Sequence, residues 1–163
     1  MTLARHDLDA LYRTHAGNAF RRARRLLNDE AEAHEVVHDL FVSLYERPDQ
    51  HAGRSSMSTF LYGAITHACL NRIRYRKNRE RLLERHAGSV PVPAAAVAAD
   101  DAAQLRMLLE RIPEPLAHVA VYAFMDGLTH EEIARVMGCS RRQVGNLLER
   151  LARWTQQEQA ECG

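Results

Sequence analysis

The chain has 163 residues, of which 46% are hydrophobic, 26% charged and 6% aromatic, and its formal net charge is +1. That length holds one ordinary domain or two small ones, and the composition is globular rather than disordered. Near-neutral charge argues against non-specific nucleic-acid packaging, and no apolar stretch approaches the roughly 18 residues needed to insert in a membrane. Met1 to Asp9 lacks the apolar core of a signal peptide, so the cytoplasm is the default location. The three cysteines, Cys69, Cys139 and Cys162, are far apart and form no CxxC, which reads as free thiols.

Strand signals are almost absent, and helical periodicity covers most of the chain. A first helix is expected from about Leu8 to Leu27, with Leu8, Leu11, Tyr12, Ala16, Ala19, Phe20, Ala23 and Leu27 on one face. Asn28-Asp29 breaks it. Asp29 with Glu32 has the spacing of a capping box for a second helix, which carries Val36, Val37, Leu40, Phe41, Leu44 and Tyr45 and ends at Pro48. After a polar loop from Asp49 to Ser56, Ser58 is expected to cap a third helix bearing Phe60, Leu61, Ala64, Ile65, Ala68, Leu70 and Ile73. Its end is strongly basic: Arg72, Arg74, Arg76, Lys77, Arg79, Arg81 and Arg85 stand against Glu80 and Glu84 alone.

From Ala87 to Ala99 the composition shifts to Gly88-Ser89-Val90-Pro91-Val92-Pro93 and alanines. The prolines each remove a helical hydrogen bond and push the preceding residue to extended geometry, so this reads as an interdomain linker. Beyond it, Leu105, Leu108, Leu109 and Ile112 form a short amphipathic helix. Pro115 suits the first position of the next, which is expected to bury Leu116, Val119, Ala120, Ala123 and Phe124 before Gly127.

The most informative segment follows. Thr129-His-Glu-Glu132 is a capping box opening a helix with Ile133, Ala134 and Met137; Gly138 suits a left-handed helix end; Ser140-Arg-Arg-Gln143 is a second capping box, opening a helix with Val144, Leu147, Leu148 and Leu151 inward. Two capped helices joined by a short glycine-containing turn make a helix-turn-helix. The outward face is Arg141, Arg142, Gln143, Gly145, Asn146, Glu149 and Arg150, side chains that reach base edges and phosphates.

Over about Leu8 to Trp154 the sequence resembles the extracytoplasmic-function group of sigma-70 factors. Three segments carry the resemblance. Ala33-His-Glu-Val-Val-His-Asp-Leu-Phe-Val-Ser-Leu-Tyr45 is similar to the family's "DLVQEVFLRLW", which implies that Glu35, His38, Asp39, Val42 and Ser43 meet the beta-prime clamp helices of core RNA polymerase. Ser58 to Arg74 is similar to "STWLYRIARNLALDRLR", which implies recognition and opening of the minus-10 element by Arg54, Ser55, Phe60, Tyr62, His67, Asn71, Arg72, Arg74, Arg76 and Lys77. Such a site holds unstacked bases on aromatic surfaces with cations nearby. Here Phe60 stands where the family often has Trp, and Gly63 where it has Arg. Arg111 to Leu151 resembles the family's region 4, which implies contact with the minus-35 element by Thr129, Ser140, Arg141, Arg142, Gln143, Asn146, Arg150 and Arg153 beside the beta flap.

The resemblance implies an all-α protein of two small helical domains, residues 1–86 and 102–157, joined by a flexible linker, 87–101. It also implies promoter DNA and an anti-sigma factor as partners. No phosphate-binding glycine loop and no nucleophile–base set is visible, so no catalysis and no cofactor are expected. His34 and His38, four apart, lack a third ligand and read as ordinary histidines rather than a metal site. The alternative is a stand-alone helix-turn-helix regulator, for which the Glu35 to Tyr45 segment would have no use; a helical interaction protein is a third reading.

Overall fold

The computed structural model of the protein describes residues 5–87 and 101–162, with side chains over 7–85 and 105–161. Among them all regular structure is helical: α1 (Arg5–Leu27), α2 (Glu30–Glu46), a 3₁₀ turn at Pro48–Gln50, α3 (Met57–Ala87), α4 (Asp101–Arg111), α5 (Leu116–Ala120) running into a π turn (Val121–Met125), α6 (His130–Met137) and α7 (Arg141–Cys162). All but the end residues of the expected linker, 87–101, lie outside the described residues.

Helices α1, α2 and α3 pack on one another around Ala23, Leu26, Val36, Leu44, Ile65 and Leu70, all buried. Asn28 turns the chain between the first two with φ 53, a left-handed conformation that asparagine tolerates. Asp29 then accepts the Glu32 N–H at 2.9 Å, as expected of a cap. The reciprocal half of that box is not made, because Glu32 turns its carboxylate to Arg76 of α3. A tertiary ion pair replaces the local bond. The third helix starts two residues earlier than its sequence suggests: Ser56, not Ser58, accepts the Thr59 N–H, at 3.2 Å.

The second domain centres on Leu109, Ile112, Leu116, Val119, Ile133 and Val144. Pro115 sits just before α5 rather than at its first position. One expectation fails here: Phe124 is 75% exposed, and Tyr122 is buried in its stead. The π turn is the reason, since its wider hydrogen-bonded ring inserts a residue and slips the phase of the apolar face. Leu108, expected inward, is also exposed. The polar tail continues α7 through Cys162, and Glu158 there pairs with Arg111 of α4.

The two domains pack together. Helix α3 runs against α4, α5 and α6. At the α3–α6 crossing, a Cβ on Gly63 would lie 3.4 Å from Val136 Cγ1 and 3.5 Å from the Val136 carbonyl oxygen, which is ordinary van der Waals contact.

Candidate nucleic-acid interface

The helix-turn-helix is built as its caps dictate. The Thr129 hydroxyl accepts the Glu132 N–H at 3.3 Å, and the Glu132 carboxylate accepts the Thr129 N–H at 2.8 Å. The Thr129 N–H foremost, and then the Thr129 hydroxyl, which donates to the same carboxylate at 2.8 Å, hold the Glu132 carboxyl below its usual pKa. Gly138 ends α6 with φ 64, and the Cys139 N–H reaches the Ala134 carbonyl at 3.0 Å. Ser140 and Gln143 close the second box: the Gln143 N–H donates to the Ser140 hydroxyl at 3.2 Å and the Ser140 N–H to Gln143 Oε1 at 2.8 Å. Ile133 and Val144 are fully buried between the helices and fix their angle. Arg141, Arg142, Gln143, Asn146, Arg150 and Arg153 are consequently left exposed along α7. A capped helix with this row outward can enter a major groove.

On α2, Glu35, His38, Asp39 and Val42 are exposed and Ser43 half-exposed, while Phe41 and Leu44 face the core. The intervals of three and four make one continuous polar strip edged by exposed Val42 and Tyr45. Arg72 reaches this strip from α3, 3.0 Å from Glu35 and 3.9 Å from Asp39. His34 is exposed and stacks on Phe20 with ring centroids 4.2 Å apart.

The α3 set is divided. Arg54 and Asn71 are exposed, and Ser55 is half-buried in the loop before the helix. Phe60 packs partly into the core beside His51, centroids 5.1 Å apart. Arg76 is held by Glu32. Four others are engaged by the second domain. Tyr62 donates its hydroxyl to Asp126, lies 5.7 Å from the Tyr122 ring, and carries the Arg22 guanidinium 4.1 Å from its centroid. Burial, then the Asp126 bond, pushes the Tyr62 hydroxyl well above its usual pKa, so it remains a donor. His67 Nδ1 lies 3.2 Å from His118 Nε2. Arg74 binds Glu114 at 2.6 Å and the Ile112 carbonyl at 3.3 Å. Lys77 reaches the Glu110 carbonyl at 3.1 Å.

Residues outside the sequence-derived set hold this interface. Arg22 of α1 makes two 2.8 Å bonds to the two oxygens of Asp126, and both side chains are nearly buried, at 9% and 7% exposure. Arg22 also donates to Thr66 at 2.9 Å. Arg25 reaches the Met125 carbonyl at 3.1 Å. His118 is almost buried, and burial, with the nearby His67, lowers its pKa and keeps the imidazole neutral. Arg22 and Asp126 were visible in the sequence only as a member of a basic cluster and as half of an Asp-Gly turn; nothing local pairs them.

Residues 11–79 match the family model described as Sigma-70 region 2, and residues 102–153 match that described as Sigma-70, region 4. No curated protein sequence is significantly similar to the chain. Among solved structures, it is similar in fold to a sigma factor, RpoE, crystallised with the anti-sigma factor NepR, from Bartonella quintana. Sequence identity is 15%, the match covers 90% of this chain and 92% of that one, and the TM-score is 0.51. Among the described residues no helix is long and apolar enough to cross a membrane.

Proposed function

The chain belongs to the sigma-70 family, and from that premise we propose that it is an initiation factor of the extracytoplasmic-function group that lends promoter recognition to core RNA polymerase. The observation that carries this reading is the pair of sigma-70 regions in one chain, the second of them ending in the doubly capped helix-turn-helix. In this reading the α2 strip of Glu35, His38, Asp39, Val42 and Ser43 meets the beta-prime clamp helices. The exposed row of α7 reads the minus-35 element near the beta flap. Phe60, Tyr62, His67 and Asn71, with Arg54, Ser55, Arg72, Arg74, Arg76 and Lys77, capture and melt the minus-10 element. The protein contributes binding energy and geometry, and the chemistry belongs to the polymerase. Its place of work is then the cytoplasm, where core enzyme and chromosome are.

The packing of the domains adds a condition. Tyr62, His67, Arg74 and Lys77 are occupied by the second domain, so minus-10 recognition requires the domains to separate. Binding to core and to both promoter elements supplies the free energy, and an opening of the interface by polymerase is a shift between two arrangements of folded domains. An anti-sigma factor acts by favouring the arrangement that polymerase cannot use. The fold neighbour's crystallisation with such a factor supports this part of the reading.

Run-off transcription tests the proposal. Purified chain added to active core enzyme should give discrete transcripts from a subset of promoter fragments of its own genome. Sequence-specific binding to duplex DNA without core, together with no transcript from any fragment, would replace it with the stand-alone regulator. A pull-down from cells that recovers polymerase subunits alone overturns the anti-sigma component.

A further inference from the structure

Three potential ligands from the two domains converge where α3 meets the start of α5. His67 Nδ1 stands 3.6 Å from Glu114 Oε1 and 3.2 Å from His118 Nε2, and His118 Nδ1 stands 3.8 Å from the same Glu114 oxygen. One ligand atom from each residue falls within 4.8 Å of the other two. Donors that share a tetrahedral ion at about 2.0–2.1 Å lie roughly 3.3 Å from one another. His118 can offer only one of its nitrogens, so the set as it stands is looser than that, within 4.8 Å, and rotation of the rings and carboxylate closes it on an ion.

The surroundings orient the donors. Glu114 Oε2 is fixed by Arg74 at 2.6 Å, which leaves Oε1 turned to both imidazoles. The Asn71 amide nitrogen lies 3.0 Å from His67 Nε2, the ring nitrogen away from the cluster. As placed, the amide nitrogen donates to Nε2; ligation through Nδ1 turns the amide over, so that its oxygen accepts the Nε2 proton and the Nδ1 lone pair faces Glu114 and His118. Ligating histidines are commonly held in this way through their second nitrogen. Beside the cluster, Gly63, Pro115, Tyr122 and Val136 line an open cleft of about 450 Å³ that admits solvent to a fourth coordination position.

We propose that His67, Glu114 and His118 form a binding site for a divalent transition-metal ion, zinc foremost, that clips the two domains together. Two imidazoles with one carboxylate suit zinc, cobalt or nickel, whereas magnesium and calcium take all-oxygen sets. His67 comes from the first domain and the other two from the second, so the complete site exists only while the domains are packed. The ion therefore binds one arrangement and not the other. At a free concentration 100 times its dissociation constant it favours the packed arrangement about 100-fold over the metal-free balance. The site itself does not depend on the sigma-factor reading; the consequence for polymerase rests on it.

The test uses the untagged full-length chain, stripped with a chelator. Titration calorimetry with zinc, and cobalt absorption as a coordination readout, should give one ion per chain with micromolar affinity or better. His67→Ala, at an exposed position, and Glu114→Gln should each weaken binding at least 100-fold, with helical content unchanged by circular dichroism. Absence of saturable binding, or equal affinity in both variants, overturns the site. Core-polymerase binding is then measured with and without zinc: the wild-type chain should lose affinity when zinc is added, and Glu114→Gln should not. Zinc binding with no effect on core affinity would keep the site and overturn its coupling to domain separation.

Discussion

Asp126→Ala probes the domain interface at its nearly buried ion pair. Asp126 and Arg22 are 7% and 9% exposed, joined by two 2.8 Å bonds, and Tyr62 donates to the same carboxylate. Removing one partner of a buried ion pair costs about 3–5 kcal/mol, because the other charge is left without compensation. Here the partners belong to different domains. Separation returns Arg22 to water, so the cost falls on the packed arrangement rather than on either fold. The balance shifts towards separation by roughly two to four powers of ten, at about 1.4 kcal/mol per tenfold. Apparent affinity for core polymerase rises with it, up to a ceiling set by the wild-type ratio of packed to separated chains. Small-angle scattering should show a larger radius of gyration for Asp126→Ala, and a core-binding titration a lower dissociation constant. Asp126→Asn, which keeps a carbonyl acceptor, should lie between. Unchanged dimensions together with unchanged core affinity would refute the argument that this pair closes the interface.

Three further outcomes are expected. Arg141→Ala with Arg142→Ala should leave thermal stability within about 0.5 kcal/mol, since both are exposed, while removing roughly 1–3 kcal/mol of base discrimination per lost guanine contact; footprinting that shows the same minus-35 protection would contradict the α7 assignment. Glu132 titrates below its usual value of 4.5 in the folded chain and at that value when unfolded, so its contribution is complete above pH 4.5 and disappears as pH falls through the folded value. Acid titration followed by circular dichroism should therefore show a smaller loss of stability in Glu132→Gln than in wild type, and equal losses would rule out the capping bond. Cys69 is fully buried and its thiol is pushed up to about 12 by burial, whereas Cys139 is partly exposed. A disulfide reagent should label Cys139 in the native protein and Cys69 only on unfolding; equally rapid native labelling of Cys69 would contradict the packing of the first core.

What the residues determine by themselves is whatever acts within one or two helical turns. The Thr129 and Ser140 boxes and the Gly138 termination depend on partners three to five residues apart, and all appear in the structure as spaced. The apolar periods of α1 and α2, and the exposed strip on α2, follow from the same short range. Several expectations fail where a distant group, or a slip in the helical register, overrides the local pattern. Glu32 has the spacing to complete its cap, but Arg76 takes its carboxylate. Phe124 has the period to be buried, but the π turn slips the register by a residue and Tyr122 is buried instead. Individually, His67, Glu114 and His118 are unremarkable on a helix, at a turn and in a core, and nothing in the sequence joins them. The domain interface is of this kind throughout: Arg22 and Asp126 are 104 residues apart, and His67 and His118 are 51 apart. Such pairings leave no periodic trace, because either residue alone is compatible with many surroundings, and only the folded chain brings their charges out of water together.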